Sequence, residues 1–456
     1  MSGMAVQPVL LWSDALLFVL ISVIVALALW ARRQDALRAA WARVARDGVA
    51  MAAATVLAVF VLIGLLDSLH YRARLESQPG DNPATTARYA VEVNSALDAL
   101  LTDLRSRTEK TYSAPLATHL FAREALENST QREFPRLKYG GIHLGANLSG
   151  HEFDVALRLS RGLAGGVLVW LLLMLLARRM KVGAGGTAVR AVAITLLPIL
   201  LLFGAAISLG AGYHVFGTDK VGQDVLYLSL KSIRTGLLIG TLTTLVMLPA
   251  AVALGILAGY VGGWVDDLIQ YLYTTLSSIP GVLLIAAAVL MMQVVIDTHP
   301  DWFATSAERA DARLLALCLI LGMTSWTGVA RLLRGETLKL RELEFVQAAQ
   351  AFGVGSFAIM RRHILPNLMH IVLISLVMDF SGLVLAEAVL SYVGVGVDPT
   401  TISFGTMINT ARMELAREPM VWWSLVAAFS FMFTLVLAAN LFADAVRDAF
   451  DPRSSA

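Results

Sequence analysis

Two carboxylates stand inside one apolar stretch, Asp379 and Glu387 within residues 368–397. A carboxylate in a membrane span costs about 2.5 to 3.5 kcal/mol on insertion scales, so each must face protein or a water-filled path instead of lipid. At eight residues' separation they lie about 80° apart on a helix and can share one broad face. That arrangement suits a translocation pathway or a structural polar pair. Bond-making chemistry has less to work with. The single cysteine, Cys318, excludes an internal disulfide and a Cys-based metal cluster. The chain lacks the glycine-rich loop ending in Gly-Lys-Ser/Thr that cradles phosphate, so ATP hydrolysis by that route is not expected. No His/Asp/Glu ligand set and no nucleophile–base pair falls within one span, so neither a metal, a cofactor nor a catalytic residue is expected.

The elements that must position the two acids are membrane helices. Of 456 residues, 57% are hydrophobic and 15% charged, against about 25% charged in a soluble domain. The mean hydropathy of +0.69 agrees with a membrane protein. With 36 basic and 34 acidic residues the net charge is +2, too balanced to suggest a nucleic-acid partner. Nine apolar stretches approach the length that a bilayer demands of a helix: 15–31, 48–66, 162–177, 191–213, 235–259, 268–296, 314–330, 368–397 and 420–443. Placing the N-terminus outside puts 17 Lys and Arg on cytoplasmic segments and 7 on short outer ones, which favours N-out and C-in. The first stretch does not read as a cleaved signal, because its positive charges follow the apolar run.

Residues 71–161 differ in composition, with 12 basic and 11 acidic side chains, and read as an extracytoplasmic domain. Ala90, Val93, Leu97, Leu100 and Leu104 step by helical spacing. A second helical stretch near Leu116, Leu120, Phe121 and Leu126 is expected to cover that seam. Asn128-Ser129-Thr130 and Asn147-Leu148-Ser149 fit glycosylation patterns that are common by chance.

The loop between spans seven and eight carries Gln347-Ala348-Ala349, then Gly353, then His363-Ile364-Leu365-Pro366-Asn367. It reads as a short alanine-rich helix, a glycine turn, and a second amphipathic helix stopped by proline. This spacing resembles the Glu-Ala-Ala coupling loop of ABC-importer permeases. Gln347 replaces that motif's glutamate and His363 its isoleucine, while Ala348, Ala349, Gly353, Leu365 and Pro366 match; His363 and Asn367 resemble the variant of the dipeptide, oligopeptide and nickel importers. Further marks follow in order over residues 216–453. They are Phe216-Gly217-Thr218-Asp219, Gly222-Gln223-Asp224, Gly259 to Asp266, Ser278-Ile279-Pro280, Arg331 to Gly335, Glu387 to Gly394, and Arg447 to Arg453. Gln223 departs from the family's usual arginine.

The resemblance implies a second-type (C-type) permease subunit of a binding-protein-dependent importer in a bacterial inner membrane. The implied fold is an all-α polytopic membrane protein with a type I six-helix core over spans four to nine; the three extra N-terminal helices and the outer domain are additions on which the resemblance is silent. Domain limits are expected at 1–70, 71–161, 162–190, 191–230, 231–445 and 446–456. The implied partners are a homologous permease subunit, two ATP-binding subunits, an extracytoplasmic solute-binding protein and the lipid bilayer. Gln347 to Asn367 would couple to the ATPases; Glu387 matches the family pattern and Asp379 does not, and a place for both near the path is expected only from the cost of a carboxylate in a span. An ion-gradient-driven secondary transporter is the alternative, and its mid-membrane ionisable residues would be the same two acids.

Overall fold

The computed structural model describes residues 6–31, 33–75, 89–125, 132–145, 150–179, 186–303 and 305–450. In chain order the elements are β1 (Val6–Val9), α1 (Trp12–Ala31), α2 (Asp35–Val44), α3 (Gly48–Asp67), β2 (His70–Ala73), β3 (Asn94–Ser95), α4 (Ala96–Leu100), α5 (Thr102–Ser106), β4 (Glu124–Ala125) and β5 (Arg132–Glu133). Long helices follow: α6 (His151–Arg179), α7 (Thr187–Gly210), α8 (Val225–Val261), α9 (Gly263–Ser278), α10 (Gly281–Thr298) and α11 (Ser306–Arg341). Then come α12 (Glu344–Ala351), α13 (Ser356–Ile359), a π turn (Met360–Ile364), α14 (Leu365–Val393), α15 (Phe404–Glu414) and α16 (Trp423–Phe450). Among the described residues, 8 helices are long and apolar enough to cross a membrane, and α1 adds the shorter apolar stretch Trp12–Ala26.

The expected sixth span, 268–296, is two helices. Ile279 is extended at φ −90° and ψ 133°, because the ring of Pro280 crowds the preceding residue out of the helical region. The spans expected at 162–177 and 314–330 are the cores of much longer helices, α6 and α11. Polar first and last turns carry those helices past their apolar centres. α6 begins at His151, inside the range 71–161 expected for the outer domain.

The chain divides into two compact units. The first comprises residues 1–14, 45–236 and 399–438. Here β1, β2 and β3 form an antiparallel sheet with Val6 opposite Ala73 and His70 opposite Ser95, and α6 and α7 pack as a hairpin. Within residues 71–161 the expected helical seam and its covering helix are corrected. Residues 94 and 95 pair with β2, so the helix starts only at Ala96, where Ser95 and Asp98 form a reciprocal capping box. It breaks again at Leu101 (φ −103°, ψ 22°). The seam Ala90 to Leu104 is therefore not one helical face: Leu97 is buried, yet Leu100 is 68% exposed. Among the described residues the second stretch is not helical either, because Leu116 sits at φ +57°, and Leu120 donates its N–H to Pro135 O instead of a helical carbonyl. Leu126, Asn128 and Asn147 lie outside the described residues.

The second unit comprises residues 15–44, 237–398 and 439–456. Its core is built by the later part of α8 with α9, α11 and the segment Val346–Val372, around Met247, Ile256, Tyr273, Trp326, Leu333 and Ile364.

Candidate functional site

The loop between α11 and α14 is a folded lever rooted in that core. α12 has the sequence EFVQAAQA, and alanine lets a short helix form at little entropic cost. Val346 and Ala349, one turn apart, are buried in the core, whereas Phe345, Gln347 and Ala348 point outward. Two hydrogen bonds close the helix: Gly353 N–H to Gln350 O (2.9 Å) and Val354 N–H to Ala349 O (3.1 Å). This paired closure needs a left-handed residue at Gly353, and its φ is +76°. Beyond it Phe352 and Phe357 are 87% and 72% exposed, and Val354 is partly exposed beside them.

Pro366 does not stop the second helix, contrary to the sequence-based expectation. Helix runs from Ser356 through the π turn into α14, with Leu365 N–H donating to Met360 O, five residues back. The wider turn removes the need for the N–H that proline lacks. Asn367 Nδ2 then donates to His363 O (2.6 Å), supplying a donor beside the proline. His363 itself is half-buried, its ring 6.2 Å from that of Phe345.

A clamp fixes the base of the lever. Arg334 on α11 donates through Nε to Asp266 Oδ1 (2.5 Å) and through Nη2 to Oδ2 (2.6 Å). The guanidinium holds the Asp266 carboxyl below the usual range. Arg341 donates to Tyr260 O (3.2 Å), and Gln350 on α12 to Tyr260 Oη (3.2 Å). Asp266 and Arg334 belong to separate sequence marks, and their pairing was not anticipated. Two opposite charges flanking apolar spans, each without a local partner, were the available signal.

Glu387 and Asp379 on α14 differ. Glu387 is 2% exposed and accepts from Ser391 Oγ (2.7 Å). Asp379 is half-buried, and its sheltered Oδ2 has no hydrogen-bond partner among the described residues. No hydrogen bond joins the two acids among the described residues.

In the first unit the motif Phe216 to Asp224 makes a second built site. Asp224 caps α8, accepting from Leu226 N–H (2.8 Å) through Oδ1, while its Oδ2 meets His214 Nδ1 at 2.8 Å. Glu109 accepts from the N–H groups of Lys138 (2.8 Å) and Tyr139 (2.7 Å), and lies 3.4 Å from His214 Nε2. Burial pushes the His214 pKa down, but the two carboxylates outweigh it and raise it to about 9. Gln223 takes part through its backbone, donating to Asp219 Oδ1 (2.8 Å).

Close by in sequence, two cations of α8 are enclosed by acids from the N-terminal segments. Lys231 Nζ reaches Asp67 (2.6 Å) and Asp98 (3.1 Å), and Tyr227 donates to the other oxygen of Asp98 (2.8 Å). Arg234 reaches Asp14 (2.6 Å), which also meets His70 Nδ1 (2.7 Å). Neither cation was singled out from sequence. Positions 231 and 234 lie where an outer segment enters a span, and that placement was the signal.

Residues 251–456 match the family described as binding-protein-dependent transport system inner membrane component. The oligopeptide transport system permease protein OppC of Mycobacterium bovis is 31% identical over 241 residues, covering 53% of this chain and 76% of that protein. The chain belongs to this permease family. The glutathione transport system permease protein GsiD of Pectobacterium atrosepticum is 31% identical over 242 residues, covering 53% of this chain and 73% of that protein. For the dipeptide transport system permease protein DppC of Lactococcus lactis subsp. cremoris the identity is 30% over 242 residues, covering 53% of this chain and 64% of that protein. As a family member the permease is a multi-pass inner-membrane protein. Its α12 lever, its clamp and both α14 acids lie inside the matched residues; Asp14, Asp67, Asp98 and Glu109 lie outside them.

Proposed function

We propose that this permease supplies half of the path through the inner membrane in an ATP-driven importer of peptides or a related small solute. The path's other half comes from a homologous permease subunit. Two ATP-binding subunits hydrolyse ATP, and an extracytoplasmic binding protein delivers the solute. The termini lie as the lysine and arginine balance orients them, N-out and C-in, which puts α12 in the cytoplasm. The coupling residues are Gln347, Ala348, Ala349, Gly353, His363, Leu365, Pro366 and Asn367.

One observation carries the coupling role. The lever turns Val346, Ala349, Ile359 and Ile364 into the core while exposing Phe345, Phe352, Val354 and Phe357 together. Exposed aromatics on a short rigid helix fit a groove in a partner, and a few such anchors dominate binding energy. Closure of the ATPase pair would push α12, and α13, the π turn and α14 would carry the movement into the membrane as one helix.

Phe352→Ser is expected to leave insertion and thermal stability unchanged, since the ring touches little of its own chain. It should cut co-purification of the ATP-binding subunits and uptake by at least tenfold, in line with loss of one aromatic anchor worth about 2 kcal/mol. Wild-type capture and uptake in that variant would refute the docking role. Uptake that needs an ion gradient and no ATP would refute the importer reading.

A further inference from the structure

We infer that Asp379 is a solute-binding residue that takes a cationic group, an ammonium or guanidinium, from a peptide in transit; this deepens the importer reading above and rests on it. α14 has 29 residues, and Asp379 is the middle one, about 21 Å of helix from either end at 1.5 Å per residue. The apolar span within α14 is Ile371–Val393, which places Asp379 about 12 Å of helix inside its nearer end at 1.5 Å per residue, within the region where a bare carboxylate is costly.

No counter-charge meets it among the described residues. Its Oδ2 is closed off from solvent and accepts no hydrogen bond, and no Lys, Arg or His among the described residues is ion-paired with it. Glu387 is the control within the same helix, being buried and held by the Ser391 hydroxyl. Asp379 also sits at the edge of an exposed stripe, Met378, Gly382, Leu385 and Val389, spaced by four, three and four residues. The carboxylate therefore borders a surface that the chain does not cover. A carboxylate within the span at such an edge, unpaired among the described residues, matches a mobile cation that arrives and leaves. The group is a lysine or arginine side chain, since the N-terminal ammonium is common to every peptide and would give no preference among them.

The test is ATP-driven uptake into proteoliposomes holding the whole transporter with its binding protein. Ala-Lys-Ala, Ala-Ala-Ala and Ala-Glu-Ala are compared in wild type, Asp379→Asn and Asp379→Glu. Asparagine keeps the shape and removes the charge, so uptake of Ala-Lys-Ala should fall about tenfold relative to Ala-Glu-Ala, the scale of a charge-assisted hydrogen bond. Glutamate should restore the wild-type ratio. Equal loss for all three peptides, or no change for any, overturns the inference. Loss of co-purification with the partner permease in Asp379→Asn would also overturn it, because the carboxylate would then be pairing with a cation of that subunit. If wild type moves no peptide with ATP, the importer reading itself falls; a selective failure of the charge preference leaves that reading standing.

Discussion

The α12 lever of the second unit, beyond the Arg334–Asp266 clamp at its base, and the α8 entry of the first are held in place mainly by opposite means. The lever is held by apolar burial, with Val346, Ile359 and Ile364 wholly enclosed, and turns its aromatics outward. The α8 entry is held by charge: Lys231 and Arg234 are enclosed by Asp67, Asp98 and Asp14. Apolar packing is non-directional, so a lever rooted that way can be pushed and settle in a neighbouring arrangement at modest cost. Buried ion pairs tolerate no such shift, since separating them leaves charge without solvent. The contrast assigns motion to the lever and fixity to the α8 entry.

The largest expected effect tests the fixed region. Lys231→Met should destabilise the permease by about 3 to 5 kcal/mol, because Asp67 and Asp98 lose the cation that pays for their burial. A melting temperature in detergent within a degree of wild type would show that the charges are not what holds α8. Second comes pH. His214 titrates at about 9 when folded, against 6.5 ordinarily, so its protonation stabilises fully below about 6.5 and the gain fades as pH rises through about 9. Melting temperature should fall between pH 7.5 and 10 by the equivalent of about 1 to 3 kcal/mol, and His214→Gln should flatten that slope. An unchanged slope in the variant would separate His214 from the alkaline loss. The smallest effect tests the lever. Gly353→Val forces a β-branched residue to φ +76°, at a cost of about 1 to 2 kcal/mol. Uptake and ATPase stimulation should drop while insertion stays normal; full activity would mean that the turn is not part of the coupling.

What was legible from sequence follows from how local the forces are. The long helices were legible because about twenty apolar residues in a row have one stable form in a bilayer. The turn at Gly353 was legible because one residue type owns that backbone region. The break at Pro280 and the passage through Pro366 were not separable by rule, since proline can end a helix or be accommodated, and which occurs depends on whether the surrounding turn can widen. The helical periodicity of Ala90 to Leu104 failed for a related reason. Ser95 and Asn94 found partners in β2, and the capping box at Ser95 then fixed the start of α4 further along. The enclosure of Lys231 by Asp67 and Asp98 spans well over a hundred residues of chain, beyond any local pattern.

The π turn at Met360–Ile364 does more than pass a proline. A π turn accommodates one residue more than the α-helical pattern, and one residue is worth about 100° of rotation. It therefore sets the phase of span eight against the lever, as a keyed shaft sets one gear against another. With one residue fewer there, the same push on α12 would arrive at a helix turned by more than a quarter circle, with Asp379 and Glu387 facing different neighbours.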